Sequence, residues 1–476
     1  MGLMSLAAIL KKKGYKDITI CDIAENIPYH ERTIEYFKEQ LEKKPDIVAF
    51  TATTPIWTKT KKLIHIARPH CKKIILGGPH STLFREKILD ACPEIDILVC
   101  GEADNTIDKL VKAIEKKEPL NKIRGLIYKK NKKIIATKPN DYITNLDDYP
   151  FPDRECINMS SYHAPLAILT SRGCPYNCEF CFKTVTGYKW RGRSAESVVK
   201  EIEYLITKYP HIANGPYKSI SIVDDTFNYD IKRAKKICDL IIKKNLNVEI
   251  RSVNGFHAKN TDLELFQKAK KAGFKEIWFG IESGNDKILQ NLRKGITKDD
   301  VRRAVKLARE AGIEMIGGHF ILGLSCETPE TARDTIEFAK ELKLDNLGFN
   351  HANVLPGTRL WDYVQKHGRI LYEYDEMDFS KFRQMAGYPI IETPEFTKEQ
   401  RIKVHQEAMQ VSAKIIRKRT MSPKNIKRFI FRRNSSKDAL WALKRVYELY
   451  FKTKTDAWRH KKRKPSELYD NKTKNN

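Results

Sequence analysis

Two runs of alternating apolar strands and amphipathic helices account for most of this chain, and a basic helical stretch follows them. In the first run, Leu6 to Lys13 has helical spacing and ends at Gly14, and Asp17-Ile18-Thr19-Ile20-Cys21 alternates like a strand. Helical spacing returns over Thr33 to Lys43 and Thr58 to Ala67. Asp46–Phe50, Lys73–Leu76 and Ile95–Val99 read as buried strands. Apolar strands that alternate with helices imply a parallel, doubly wound sheet. Such a sheet ordinarily opens on a strand, and this one opens on a helix, so its first strand is expected to be missing. Ile123–Tyr128 and Lys133–Ala136 read as a hairpin around Lys130-Asn131, and Tyr149-Pro150-Phe151-Pro152 then breaks regular structure.

The second run has candidate strands at 166–170, 219–223, 248–251, 276–281, 315–322 and 346–350. Helical stretches at 195–208, 231–244, 261–272, 298–311 and 329–342 separate them. Thr297 is placed to cap one helix, and Gly273 and Gly312 to close two others. Six strand–helix units predict an open barrel with its chemistry at the carboxyl ends of the strands. Farther on, Arg401 to Arg419 and Ala439 to Phe451 are the clearest helices. The fold class is therefore α/β. A Rossmann-like parallel sheet occupies 1–145, a partial (β/α)6 TIM-type barrel 146–395, and a basic helical extension 396–476.

Composition sharpens this picture in three places. Hydrophobic residues make up 41% of 476, enough for sizeable cores, and no stretch approaches the ~18 apolar residues of a spanning helix. The apolar start lacks the charged flank and cleavage site of a signal peptide, so a cytoplasmic protein is expected. Ten cysteines are scattered except for one tight group, which fits cytosolic thiols with one metal cluster better than a disulfide framework. The net charge of +28 is uneven: residues 398–476 hold 24 Lys or Arg against 7 Asp or Glu, a net of +17, leaving +11 for the rest. The basic runs Lys424–Arg433 and His460–Lys464 suit an anionic membrane surface, and equally a plain solvated extension. Nucleic acid is not an expected partner.

The tight group is Cys174-Pro175-Tyr176-Asn177-Cys178-Glu179-Phe180-Cys181. Three thiolates within eight residues, just after a strand, can converge on one metal site. A four-iron cluster held by three cysteines keeps one iron open for a small molecule. A zinc knuckle wants four ligands, and no nearby Cys or His offers the fourth.

The spacing, with Phe180 before the third cysteine, resembles the radical S-adenosylmethionine superfamily. Ser171-Arg172-Gly173 and Arg191-Gly192-Arg193-Ser194 extend the likeness, which covers roughly 146–370. It implies that Cys174, Cys178 and Cys181 hold a 4Fe-4S cluster that cleaves S-adenosylmethionine to a 5′-deoxyadenosyl radical. It places Asp224 and Asp225 near the cofactor's ammonium, Glu282 and Ser283 near its ribose and carboxylate, and Gly317 and Gly318 beside its adenine. The family's Leu-Pro-Gly-Glu-Thr turn reads Leu324-Ser325-Cys326-Glu327-Thr328 here, so a glycine is lost. Cys326 is read as an ordinary loop cysteine.

Residues 1–145 resemble the cobalamin-binding domain often fused ahead of such barrels, through Thr51-Ala52-Thr53-Thr54, Gly77-Gly78-Pro79-His80 and Gly101-Glu102. The likeness implies a corrinoid held near Thr53, Gly77 and Gly78. The Asp-x-His-x-x-Gly motif is absent, and His80 is not expected to ligate cobalt. The implied activity is cobalamin-dependent methylation of an unactivated carbon. The alternatives are radical cyclisation or rearrangement with a degenerate front domain, and RNA methylthiolation, whose second cysteine set is not recognisable here. A non-enzymatic corrinoid scaffold would need an inert barrel. The implied partners are a flavodoxin- or ferredoxin-type reductant and a small-molecule or lipid-like substrate.

Overall fold

A computed structural model describes residues 1–23, 30–162, 166–210, 219–372, 377 and 388–420. Residues 421–476 of the basic extension, with the expected helix at 439–451 and both basic runs, lie outside the described residues.

The front sheet has five strands in the order β1 to β5. Strands β1 (Ile47–Thr51), β2 (Lys73–Gly77) and β3 (Ile97–Val99) are parallel. The hairpin β4 (Leu126–Lys130) and β5 (Lys133–Ala136) adds antiparallel to β3, so it completes this sheet rather than connecting two domains. Asn131 and Lys132 both take positive φ, the geometry of a two-residue hairpin turn. Ile74, Leu76, Leu98, Ile64 and Ile88 fill one face of the sheet, and Ile75, Ile97, Leu110 and Leu126 the other.

The expected strand Asp17–Cys21 does not form: these residues take no regular structure and belong to no ladder. A strand is stable only through a neighbour.

The barrel sheet runs β6 (Ala167–Ile168), then β9 (Ser219–Ile222), β10 (Glu249–Phe256), β11 (Phe274–Glu282), β12 (Met315–Leu322) and β13 (Asn346–His351), all parallel. A small antiparallel pair, β7 (Ser171–Arg172) with β8 (Arg191–Gly192), brackets the cysteine loop. The helices fall where the periodicity puts them. Thr297 caps Lys298–Glu310 in a reciprocal capping box with Asp300. Gly273 and Gly312 close their helices at positive φ.

Both edges of the open barrel are covered. At β6, Arg154 donates to the Ala167 carbonyl at 2.6 Å while pairing with the buried Glu201 carboxylate at 2.9 Å. At β13, the helix Lys398–Thr420 lies against the strand; His405 Nε2 and Ser412 Oγ reach the Phe349 and Leu347 carbonyls. Covering unpaired edge groups removes a site of non-native pairing. Phe396, Val404 and Ala408 belong to the barrel core. Residues 396–420 are thus part of the barrel, and the expected boundary at 395 cuts through its packing. No helix among the described residues is long and apolar enough to cross a membrane.

Candidate functional site

The cysteine loop is built as a tied arch. Gly173 enters it at φ +79°, where a Cβ would sit 2.3 Å from the Lys189 carbonyl oxygen, so only glycine fits. Lys183 is buried and donates to the Cys174 carbonyl at 3.1 Å and to that of Tyr176, closing the loop on itself. Tyr176 stacks flat on His257 at 3.9 Å, and its hydroxyl accepts from Asn260 Nδ2. Glu179 accepts from the Ser325 amide at 3.0 Å, and Phe180 packs against the barrel core. The aromatic position before the third cysteine is therefore an anchor of the loop.

Cys174 is buried, and Cys178 and Cys181 are half-buried. Burial pushes the Cys178 thiol up and that of Cys181 to about 12, and each feels the charge of the other cysteines of the loop. Ionising the Cys178 and Cys181 thiols in this setting therefore calls for a bound cation. Among the described residues, no three Cys, His, Asp or Glu side chains close around a single ion. A four-iron cluster spreads its three thiolates over separate irons, and this donor set fits it. Thr226, which sequence reasoning passed over, donates its hydroxyl to Cys174 Sγ at 3.2 Å. Its position directly after Asp224-Asp225 was the available signal.

The two adjacent carboxylates separate. Asp224 is buried and accepts from the Thr170 amide at 2.6 Å, the Thr170 hydroxyl at 2.5 Å and the Ser171 hydroxyl at 2.7 Å. It ties β9 to the strand that leads into the cysteine loop. Asp225 is exposed and sits beside Thr186 and Lys183 of the cysteine loop. Glu282 ends β11 at φ +68° and accepts from Lys294 Nζ at 2.5 Å. Burial opposes the Lys294 charge, but Glu282 and the neighbouring Cys178 hold its pKa up. Ser283 is fully buried against Thr335, where it positions the following turn.

Gly317 and Gly318 face opposite sides of β12. A Cβ on Gly317 would lie 2.2 Å from the Trp278 indole, so that ring covers the strand there. Trp278 in turn stacks on His319 at 4.5 Å. A Cβ on Gly318 would meet Leu344 and Ile281 in the outer core. The turn that lost its family glycine is preserved, because Cys326 itself takes φ +60°.

In the front domain, the loops at the carboxyl ends of β1, β2 and β3 form one rim. The Ala52 amide donates to Gly77, the His80 amide to Ala52, and the Gly101 amide to Thr82 Oγ1. Thr53 is exposed on this rim, and a Cβ on Gly77 would have ordinary room. Gly78 has φ +93°, and a Cβ there would lie 2.5 Å from Thr51 Oγ1. His80 is fully buried, stacked on Trp57 at 4.4 Å and against Phe84, a packing position rather than one on the rim.

Comparison with known proteins decides the family. A radical SAM superfamily model matches residues 168–339, and a B12 binding domain model matches residues 1–111. An uncharacterized methyltransferase of Pyrococcus horikoshii is 35% identical over 419 residues, covering 86% of each chain. The chain belongs to the cobalamin-dependent radical SAM class. An anaerobic magnesium-protoporphyrin IX monomethyl ester cyclase of Cereibacter sphaeroides is 28% identical over 79% of this chain and 61% of that one. The radical SAM methyltransferase TsrM of Kitasatospora setae, solved with cobalamin and a [4Fe-4S] cluster, shares the fold. Its TM-score is 0.60 at 18% identity, over 80% of this chain and 72% of that one.

This radical SAM enzyme works with a 4Fe-4S cluster, S-adenosylmethionine and cobalamin. Held by Cys174, Cys178 and Cys181, the cluster would supply an electron for cleavage of S-adenosylmethionine. The residues of the chain fix the cysteine loop, set charge around it and line the barrel above it.

Two consequences are measurable. Exchanging Glu282 for Gln leaves the Lys294 ammonium unpaired beside the cysteines. S-adenosylmethionine binding is expected to weaken by on the order of 1.5–3 kcal/mol, with iron content unchanged; equilibrium binding and iron analysis of one sample check this.

His257 gives a pH dependence. Burial, then the nearby Lys294 charge, push its pKa from 6.5 down to about 4. Between those values the unfolded chain holds the extra proton, so stability rises with pH across the window. Roughly 3 kcal/mol is expected to be lost on going from pH 7 to pH 4. Denaturation midpoints of the apoprotein across that range should fall with acid, and less steeply in His257→Phe, which keeps the stack on Tyr176.

Proposed function

We propose that this enzyme transfers a methyl group to an unactivated carbon of a small-molecule or lipid-like substrate, with cobalamin as the methyl carrier. The observation that carries the reading is the likeness to the Pyrococcus horikoshii methyltransferase over 86% of each chain, too long to be confined to either domain. A flavodoxin- or ferredoxin-type protein is proposed as the source of electrons. Asp225 and the Glu282–Lys294 pair are proposed to meet the polar end of S-adenosylmethionine, and the loops at Thr53, Gly77 and Gly78 to meet the corrinoid. The cyclase likeness favours a second reading, radical ring closure.

Product counting separates the two. Methyl donation from S-adenosylmethionine leaves S-adenosylhomocysteine, whereas reductive cleavage leaves methionine and 5′-deoxyadenosine. With reduced holoenzyme and a cell extract as substrate source, methylation should release the two nucleosides in equal amounts. 5′-Deoxyadenosine formed without S-adenosylhomocysteine would support ring closure and remove the methyltransferase reading.

A further inference from the structure

Among the described residues, the front domain reaches the cluster loop through a buried cluster of ion pairs. The loop after β3 carries Glu102 and Asp104, which are 4% and 7% exposed. Arg191, on β8, grips Glu102 with both terminal nitrogens at 2.6 and 3.0 Å. Arg172, on β7, grips Asp104 with both at 3.0 and 2.9 Å, and touches Glu102 at 3.5 Å. Arg191 also donates to the Thr186 carbonyl inside the loop and to the Ile143 carbonyl of the connector, each at 2.8 Å. The Ile143 amide returns a bond to Glu102 at 3.1 Å.

Strands β7 and β8 pair through Ser171–Gly192 and Arg172–Arg191, and all three cluster cysteines lie on the segment between them. Both strands of that clasp are therefore held by carboxylates from another domain. Planar guanidinium–carboxylate pairs fix orientation as well as distance. Glu102 is not needed for solubility, since it is buried, and the small core β7–β8 pair has only two residues per strand to hold its own geometry.

We propose that Glu102 and Asp104 are positioning residues: the β3 loop of the cobalamin domain sets the placement of the cluster loop through Arg191 and Arg172. The front domain then does more than present its corrinoid, because a complete cluster site requires its loop. The inference concerns cleavage of S-adenosylmethionine and does not rest on methyl transfer.

The test uses the full chain, anaerobically reconstituted, with uncoupled cleavage of S-adenosylmethionine as the assay. Glu102→Gln, nearly isosteric, should retain its irons. Its kcat/KM should fall roughly 10- to 100-fold, the penalty of a displaced reacting group. Asp104→Asn should fall less, because the Arg172 side chain is 21% exposed and water can replace the lost charge. The electron paramagnetic resonance spectrum of the reduced cluster should shift on adding S-adenosylmethionine in the natural protein and become heterogeneous in Glu102→Gln. Combining Glu102→Gln with Arg191→Met should cost clearly less than the product of the two single effects, since their strongest bond is the one they share. Cleavage by Glu102→Gln within two-fold of the natural protein, or effects that multiply in the double variant, would overturn the proposal. Loss of iron in Glu102→Gln and Asp104→Asn alike would also overturn it, by making the pair a folding element only.

Discussion

Replacing any one of Cys174, Cys178 and Cys181 by Ala is expected to abolish the iron–sulfur cluster and cleavage of S-adenosylmethionine together. Three thiolates are the whole protein donor set, so removing one leaves two irons without protein ligands where one is meant to be open. The arch that carries them should survive. Lys183, the Tyr176–His257 stack and the Glu179–Ser325 bond involve no cysteine side chain. Far-ultraviolet circular dichroism should therefore be unchanged while the charge-transfer absorption and 5′-deoxyadenosine formation disappear. Cleavage that persists in the triple variant would show the site to lie elsewhere.

The second large effect concerns Gly78. A side chain there must enter a left-handed backbone conformation and meet Thr51 Oγ1 and Ala52, which belong to the same rim. Strain of this kind is worth about 1–3 kcal/mol, and it is relieved only by moving the loop. Gly78→Val is expected to lose corrinoid binding while keeping the cluster, because the front-domain residues that grip the cluster loop, Glu102 and Asp104, follow β3 and not β2. The contrast is His80→Ala. It empties an aromatic pocket and should destabilise the front domain by about 2–4 kcal/mol, yet leave the spectrum of bound hydroxocobalamin unchanged. A changed cobalt spectrum in His80→Ala would make that histidine a ligand.

How much of this was legible in the sequence follows the range of the forces involved. Elements fixed by local periodicity and capping, such as Lys298–Glu310 behind Thr297 and all six barrel strands, were readable within a few residues. The cysteine loop was readable because its chemistry is contained in eight adjacent residues. Asp17–Cys21 failed because alternation makes a strand only where a neighbour exists. Asp224 and Asp225 are adjacent and chemically identical, and only the approach of Thr170 and Ser171 from 54 and 53 residues away decides which one is buried. The Arg191–Glu102 clasp spans 89 residues and two domains, beyond any local pattern. At Gly317, read as a place where adenine approaches the backbone, the Trp278 ring of the chain itself lies against the strand. The boundary at 395 followed charge, whereas packing follows Phe396, Arg401 and Val404, which are buried in spite of the basic residues around them.

One chain is expected to hold both a cluster and a corrinoid, each on the loops of its own domain. Metal analysis of a single anaerobically reconstituted sample, after dialysis against hydroxocobalamin and gel filtration, tests it most directly. About four irons per chain, together with stoichiometric cobalt retained by the natural protein and lost in Gly78→Val, is the predicted result. Four irons with no cobalt retained by the natural protein would contradict it.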